Sequence, residues 1–336
     1  MNILVLGLLS SILMLDSAST SAKEPAVRRE TPDWRLVLRG IFVARENPLG
    51  VDWQLQLGAQ RGLYAHASPL LRDNHLLLGV DAKINPIAAK VGPSFEIQPL
   101  SVAAIRMRAE WVGYWGTLGF LQSFQSPVED YSDSTLCRRQ NDNLNYATTG
   151  VHTAIEPLLQ FGLPIGPTRD GSKRMGFIAL RDRLSVEYWN VSTHSPAGSG
   201  GRKDTVFYDP TLDTLVPAMG WILQNDLDLV FQSKPKLTVG IRYTAVHPIY
   251  DNASFRSKAE ADSYKNDNDV HRLGPLVAYS FVGGNESDRN SLTLLLLVNW
   301  YLAHRWRTGQ DVSTAIPYVL LGLSFHHDLL RDPKVP

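Results

Sequence analysis

Apolar and polar residues alternate with a period of two along most of this chain. In the segment 53–60, apolar residues occupy the odd positions, and glutamine or glycine occupies the even ones. The same alternation recurs in 88–98, 102–115 and 236–246. Successive side chains of a β-strand point to opposite faces, so the pattern predicts strands with one apolar and one polar face.

Many of the predicted strands are unusually long. Strands of soluble domains average about 5–6 residues, whereas a tilted strand that crosses a bilayer needs about 9–11. We therefore expect an all-β fold, a single transmembrane antiparallel up-and-down β-barrel of about twelve strands. The predicted strands are 34–44, 51–60, 76–84, 88–98, 102–115, 146–161, 175–191, 214–231, 236–246, 272–282, 292–303 and 315–326.

The lengths of the connections support the barrel. The longest ones, 116–145, 192–213 and 247–271, follow the fifth, seventh and ninth predicted strands and fall at one end. The short ones, 99–101 and 232–235, fall at the other end. Outer-membrane barrels have long extracellular loops and short periplasmic turns, and only the long connection 61–75 departs from this pattern.

The N-terminus predicts export. Residues 1–22 contain an apolar run followed by small residues, with Thr20 and Ala22 at the positions that precede signal-peptide cleavage. A buried N-terminal helix is the alternative. We expect a signal peptide at 1–22, a periplasmic segment at 23–33, the barrel at 34–326 and a polar tail at 327–336, with both termini in the periplasm.

Charge and cysteine content exclude several classes of protein. The 33 Lys and Arg residues balance 33 Asp and Glu residues, which argues against a nucleic-acid partner. The single cysteine cannot form an internal disulfide and excludes a cysteine-based zinc site. No cofactor and no bound metal are predicted.

Four stretches carry a resemblance to the outer-membrane β-barrel proteins of Gram-negative bacteria. They are LLLGVDAKINPIAAKVGPSFEIQPL, GYWGTLGFLQSF, FYDPTLDTLVP and LLLLVNWYLAHRWRTGQDVSTAIPYVLLGLSF. Aromatic residues such as Trp111, Trp189 and Trp300 lie near the ends of predicted strands, as in the girdles of such barrels. The resemblance implies location in the outer membrane. It also implies contact with outer-membrane lipid and lipopolysaccharide, and insertion by the barrel-assembly machinery.

The polar face of the predicted strands supplies the candidate functional residues. Long charged side chains inside a barrel of about twelve strands would constrict it, since only larger barrels leave a wide channel. We expect a narrow pore for a small solute, or a structural barrel with binding loops. The predicted lumen-lining residues are Lys90, Glu96, Arg106, Arg108, Glu110, Glu156, Asp226, Asp228 and Arg242.

Two other functions stay open. One is a lipid-processing enzyme of the phospholipase or deacylase type, for which the adjacent His194 and Ser195 are the candidate residues. The other is a soluble secreted β-sandwich or ligand-carrying barrel. The pair His326–His327 and the oxygen-rich loop 260–271 offer metal ligands, but neither matches a known spacing, and we interpret both as solvated polar segments.

Two hairpins permit a prediction of register. A connection at 99–101 places Lys90 opposite Glu110, and a turn around Lys234 places Asp226 opposite Arg242. Opposite charges would then meet on the interior face.

Overall fold

The computed structural model describes residues 34–66, 68–166, 176–195, 201–232, 236–283 and 290–329. Twelve antiparallel strands close into a barrel, which confirms the predicted fold class and strand count. The predicted signal peptide, the segment 23–33 and the tail from 330 onward lie outside the described residues.

The barrel strands follow one another around the wall in chain order. They are β1 (Arg35–Glu46), β2 (Gly50–Arg61), β3 (His75–Ile84), β4 (Ala88–Leu100), β5 (Ala103–Trp115), β7 (Ala147–Ile165), β8 (Gly176–Val191), β11 (Met219–Gln232), β12 (Leu237–Ile249), β13 (Val270–Val282), β14 (Ser291–Ala303) and β15 (Tyr318–Asp328). Pairing of β1 with β15 closes the sheet and leaves no free edge in the wall.

Three short strands form a second sheet outside the barrel wall. They are β6 (Ser123–Phe124), β9 (Val206–Asp209) and β10 (Thr214–Pro217), in the order β10-β9-β6. The helices of the described residues are short as well: α1 (Pro69–Arg72), α2 (Asp133–Asn141), α3 (Lys258–Ser263) and a 3-10 turn (Asn252–Ser254). Within the part of the chain that the structure covers, no helix is long and apolar enough to span a membrane.

The two faces of the wall differ as the alternation predicts. In β5, Trp111 is 72% exposed, whereas its neighbour Glu110 is 1% exposed. The same contrast holds on β12, where Ile241 points outward and Arg242 inward. An apolar exterior around a polar interior is the reverse of a soluble barrel with a hydrophobic core, and it is the arrangement of transmembrane barrels.

The long connections lie together at one end of the barrel, as predicted. The connections 116–146, 192–218, 250–269 and 304–317 follow β5, β8, β12 and β14. The connection 62–74 lies at the opposite end and contains α1. Asn74 ties it into a compact loop, because its Oδ1 accepts from the backbone N–H groups of Leu63 at 2.7 Å and Tyr64 at 2.9 Å.

Two predicted strand boundaries are wrong. The predicted strand 214–231 is two elements, because β10 ends at Pro217 and pairs with β9, while β11 starts at Met219 and belongs to the barrel. Proline lacks the N–H group that a continuous barrel strand would use. The last strand begins after Pro317 and extends to Asp328, so the first residues of the predicted tail belong to the wall.

Both predicted registers are wrong by two residues. Lys90 pairs with Val112 rather than Glu110, because an irregularity lies between Ile97 and Leu100. Arg242 pairs with Asp228, because Gln232 pairs with Thr238 and the reversal comes later than predicted. A shift of two residues keeps every side chain on its predicted face, since the side-chain period of a strand is two.

The exterior face should lie in lipid, and Ile241 tests it. Ile241 is 50% exposed near the middle of β12, and Ile241→Arg should destabilise the barrel by about 2–4 kcal/mol because it places a charge in hydrocarbon. The measurement is the free energy of unfolding in lipid vesicles. Leu49→Arg at the rim is the matched control and should cost about 0–1 kcal/mol. Equal costs at the two positions would show that this face does not contact hydrocarbon.

Candidate pore and its cap

The interior face of the wall carries the candidate residues. Eight of the nine are almost completely buried: Glu96, Arg106, Arg108, Glu110, Glu156, Asp226, Asp228 and Arg242. The ninth, Lys90, places its Nζ 4.1 Å from the centre of the Trp189 ring. Trp189 is itself 1% exposed, so the prediction that it belongs to an interfacial girdle is wrong.

One group of ion pairs joins β3, β5 and β7. Arg106 contacts Asp81, whose other oxygen accepts from Ser94 Oγ at 2.9 Å. The Nη2 of Arg108 donates to Glu156 at 2.7 Å, and Lys83 Nζ lies 2.9 Å from Glu110. Charges of both signs therefore neutralise one another between strands, across β4 in the pairs that join β3 to β5.

A histidine connects this group to β8. The Nδ1 of His152 lies 2.7 Å from Glu110, and its Nε2 lies 3.0 Å from Glu187. Ser185 also donates to Glu187, at 2.9 Å. His152 thus bridges two carboxylates that would otherwise repel each other.

A second group of ion pairs lies on β8, β11 and β12. Arg242 binds Asp228 through two parallel bonds of 2.6 and 2.7 Å. Arg181 lies 3.4 Å from the same carboxylate, and Arg183 lies 3.3 Å from Asp226. On the other side of the barrel, Arg39 and His75 both contact Glu96, at 3.2 and 2.8 Å.

Sequence reasoning missed several of these partners. They are Arg39, Asp81, Lys83, His152, Arg181, Arg183 and Glu187. All lie at interior positions of strands that were predicted, so the same alternation identifies them once it is applied to every strand.

The four long connections fold together into a cap over one mouth of the barrel. The cap comprises the described residues of 116–146, 192–218, 250–269 and 304–317. Its core consists of Phe124, Tyr131, Leu136, Val206, Tyr208 and Leu215. Side-chain bonds join the connections to one another: Thr205 Oγ1 donates to Ser254 O at 2.7 Å, and Thr214 Oγ1 donates to Asn268 O at 2.6 Å.

The β9–β10 hairpin of the cap reaches into the barrel. Phe207 makes edge contacts with the interior rings of Tyr114 and Trp189, at centroid distances of 5.8 and 5.7 Å. Thr211 and Leu212, at its tip, face interior charged residues across two small cavities. The hairpin therefore closes the mouth.

Asp213 fixes this hairpin to β14 and to the connection that follows β14. It accepts from Tyr301 Oη at 2.8 Å and from Arg307 Nε at 3.1 Å. The Nδ1 of His304 accepts from two backbone N–H groups, so the ring donates from Nε2, which lies 2.6 Å from the backbone oxygen of Asp213 and 3.2 Å from its Oδ2. Burial raises the pKa of the Asp213 carboxyl, but His304 and Arg307 outweigh it and hold that pKa well below its usual range. The contact is therefore ionised at any physiological pH.

Two interior cavities lie beside the hairpin tip and are small. A cavity of about 60 Å³ lies between the hairpin tip and Lys83, Lys90 and Trp189, and a second of about 20 Å³ lies beside Arg272. Each has room for no more than a few water molecules.

The candidate enzyme and metal residues are dispersed. His194 stacks on Tyr146 at 3.5 Å, and Ser195 Oγ lies 3.5 Å from Gly201 O rather than bonded to a histidine. His326 and His327 occupy successive positions of β15 and face opposite ways. In the ranges that are described, no three potential ligands gather around a common point, and this includes the loop 260–271.

The buried pair Asp81–Arg106 gives a test of the interior network. Asp81→Ala and Arg106→Ala should each destabilise the barrel by about 3–5 kcal/mol, because each leaves an unpaired charge in the interior. The double variant should lose less than the sum of the two. The measurement is a double-mutant cycle of unfolding free energies, with the exposed Arg256→Ala as a control worth about 0–1 kcal/mol. Additive losses would contradict the pairing.

Comparison with known proteins gives structural likenesses only. No family model matches the chain, and no curated protein matches it. The transport unit of the autotransporter AIDA-I from Escherichia coli is 11% identical, with a TM-score of 0.38 over 96% of this chain and 98% of that one. The NanC porin is 10% identical, with a TM-score of 0.33 over 88% of this chain and 100% of that one. The Acinetobacter baumannii outer membrane protein Omp33 is 11% identical, with a TM-score of 0.29 over 88% and 98%. Superpositions this loose carry no functional argument.

Proposed function

We propose that this chain is an outer-membrane β-barrel of a Gram-negative bacterium that acts as a narrow, gated pore for small polar solutes. The apolar exterior supports the membrane location, because exposed residues such as Trp111 and Ile241 would be costly in water on a face this extensive. The gathering of the four longest connections at one end supports the topology, with those connections outside the cell and both termini in the periplasm.

The charged interior is the observation that most strongly supports the pore function. Replacing buried ion pairs with apolar residues of similar volume is commonly neutral or stabilising, so a purely structural barrel gains nothing from them. A path for polar solutes needs side chains that exchange bonds with water and cargo. The interior pairs, such as Arg108–Glu156 and Arg242–Asp228, supply such groups on the interior face of the wall.

The balance of charges indicates what passes. Acidic and basic side chains are interspersed, as in the pairs of Glu110 with Lys83 and of Asp226 with Arg183. A lumen without one dominant sign does not concentrate ions of one charge strongly. We therefore infer that the cargo is small, polar and of low net charge.

The cap is the gate in this proposal. The β9–β10 hairpin blocks the mouth. Asp213 ties it to Tyr301 of β14 by a hydrogen bond and to Arg307 of the following connection by an ion pair. Loss of that contact would release the hairpin without removing any strand of the barrel. Lipopolysaccharide is the expected neighbour of the cap, and the barrel-assembly machinery is the expected route of insertion.

A binding barrel is the second candidate function. The interlocking of four connections around a core of their own favours it, because a gate needs less structure than the cap has. In that case the cap would present a ligand-binding surface and the barrel would serve as its anchor. A measurement of conductance distinguishes the gated pore from the binding barrel.

Asp213→Asn tests the gate. The change removes the negative charge of Asp213 that contacts Arg307 and His304. We therefore expect a several-fold rise in the fraction of single channels that conduct in planar bilayers. Asp262→Asn, on exposed α3, is the matched control and should behave as the wild type. Heat-modifiable mobility on gels should show that every variant forms the barrel. A folded Asp213→Asn protein that conducts no more than the wild type would favour the binding barrel.

A further inference from the structure

One interior guanidinium has no carboxylate partner among the described residues. Arg272, on β13, is 7% exposed, and its Nε and Nη1 atoms find no hydrogen-bond acceptor in the covered ranges. Its guanidinium stacks instead on the ring of Tyr318, at 4.2 Å. Stacking occupies the face of the group and leaves N–H donors at its edge free. Arginine stays charged at any physiological pH, so this is a buried positive charge.

The neighbouring Asn299 is also unsatisfied. It is 1% exposed, and neither Nδ2 nor Oδ1 has a partner in the described part of the chain. Asn299 and Arg272 line the same cavity of about 20 Å³, under the tip of the β9–β10 hairpin. Two unsatisfied polar side chains beside one small cavity indicate that something occupies it.

The charges around this cavity favour an anion over a water molecule. Arg45, Arg242 and Arg272 line it together with one carboxylate, Asp226. Arg45 and Arg242 are paired with Asp52 and Asp228, so the charge of Arg272 is the one left uncompensated among the residues that line the cavity. The Asp226 carboxylate is already engaged, because it lies 3.3 Å from Arg183 and accepts from Thr244 Oγ1 at 2.7 Å. A water molecule would satisfy donors but would leave the excess positive charge in place, which is costly in a poorly hydrated interior.

We propose that Arg272 and Asn299 form a binding site for a single monovalent anion of halide size. The guanidinium edge and the Asn299 amide are the donors, and the cavity admits one monatomic ion but not a carboxylated solute. The bound anion neutralises Arg272 where the cap meets the wall. The site does not depend on conduction, so it stands or falls separately from the pore.

The first test compares chloride with gluconate, which is too large for the cavity. The refolded full-length barrel is unfolded with urea in sodium chloride or sodium gluconate of equal ionic strength. Binding to the folded state alone should raise the ratio of folded to unfolded protein about elevenfold when chloride is at ten times its dissociation constant. Equal stability in the two salts would overturn the proposal and leave water as the occupant.

Two variants and a control test whether the chloride-specific increase in stability arises at this cavity. Arg272→Gln should lose the chloride-specific increment, and Asn299→Asp should lose it as well, because it supplies a fixed negative charge in the same cavity. Asn299→Asp keeps the proposal testable if Arg272→Gln fails to fold. Lys90→Gln removes an interior charge at the other cavity and should retain the increment. An increment that persists in Asn299→Asp would contradict the site.

A crystal grown in bromide tests directly whether an anion occupies the cavity. An anomalous peak in the cavity beside Arg272 and Asn299 is expected. A difference map with a water molecule there and no anomalous signal would overturn the proposal, whatever the stability measurements show.

Discussion

Closure of the sheet by β1 and β15 is the constraint on which the rest of the molecule depends. The ladder runs from Val37–Asp328 to Glu46–Val319 and joins the first strand to the last. Hydrocarbon offers no hydrogen bonds, so a sheet can cross a membrane only if no strand has a free edge. Once the sheet closes, every strand has one side facing out and one facing a common interior. The alternation of apolar and polar residues then becomes a separation between lipid and lumen.

The ion pairing in the interior follows from that separation of the two faces. Charged side chains assigned to the inner face cannot reach bulk water along most of the wall, so they must satisfy one another. Pairs between strands do so, as Arg106 of β5 does with Asp81 of β3 and Arg242 does with Asp228 on the neighbouring strand. Where the pairing runs out, at Arg272, the structure leaves a small cavity. The cap meets the wall nearby, where Asp213 of the hairpin tip accepts from Tyr301 of β14 and from Arg307 of the connection that follows it.

The sequence was sufficient to predict the alternation of faces along the strands, but not which residues pair. Lys90 and Arg242 lie on their predicted face, yet each is displaced by two residues from its predicted partner. Side-chain direction depends only on position along a strand, whereas register depends on turn geometry and on the irregularity near Leu100. The cap was not predicted, because its strands have two to four residues and its core assembles from four separate connections. Periodicity carries no signal for elements that short.

Quenching of tryptophan fluorescence by brominated lipids tests the central claim most directly, namely that the apolar face meets lipid and the polar face encloses the lumen. Trp111 is 72% exposed on the outer face, and Trp189 is 1% exposed inside. In single-tryptophan variants reconstituted into brominated lipid, we expect strong quenching of Trp111 and little quenching of Trp189. Equal quenching of the two, or quenching of neither, would contradict the assignment of faces and the membrane location with it.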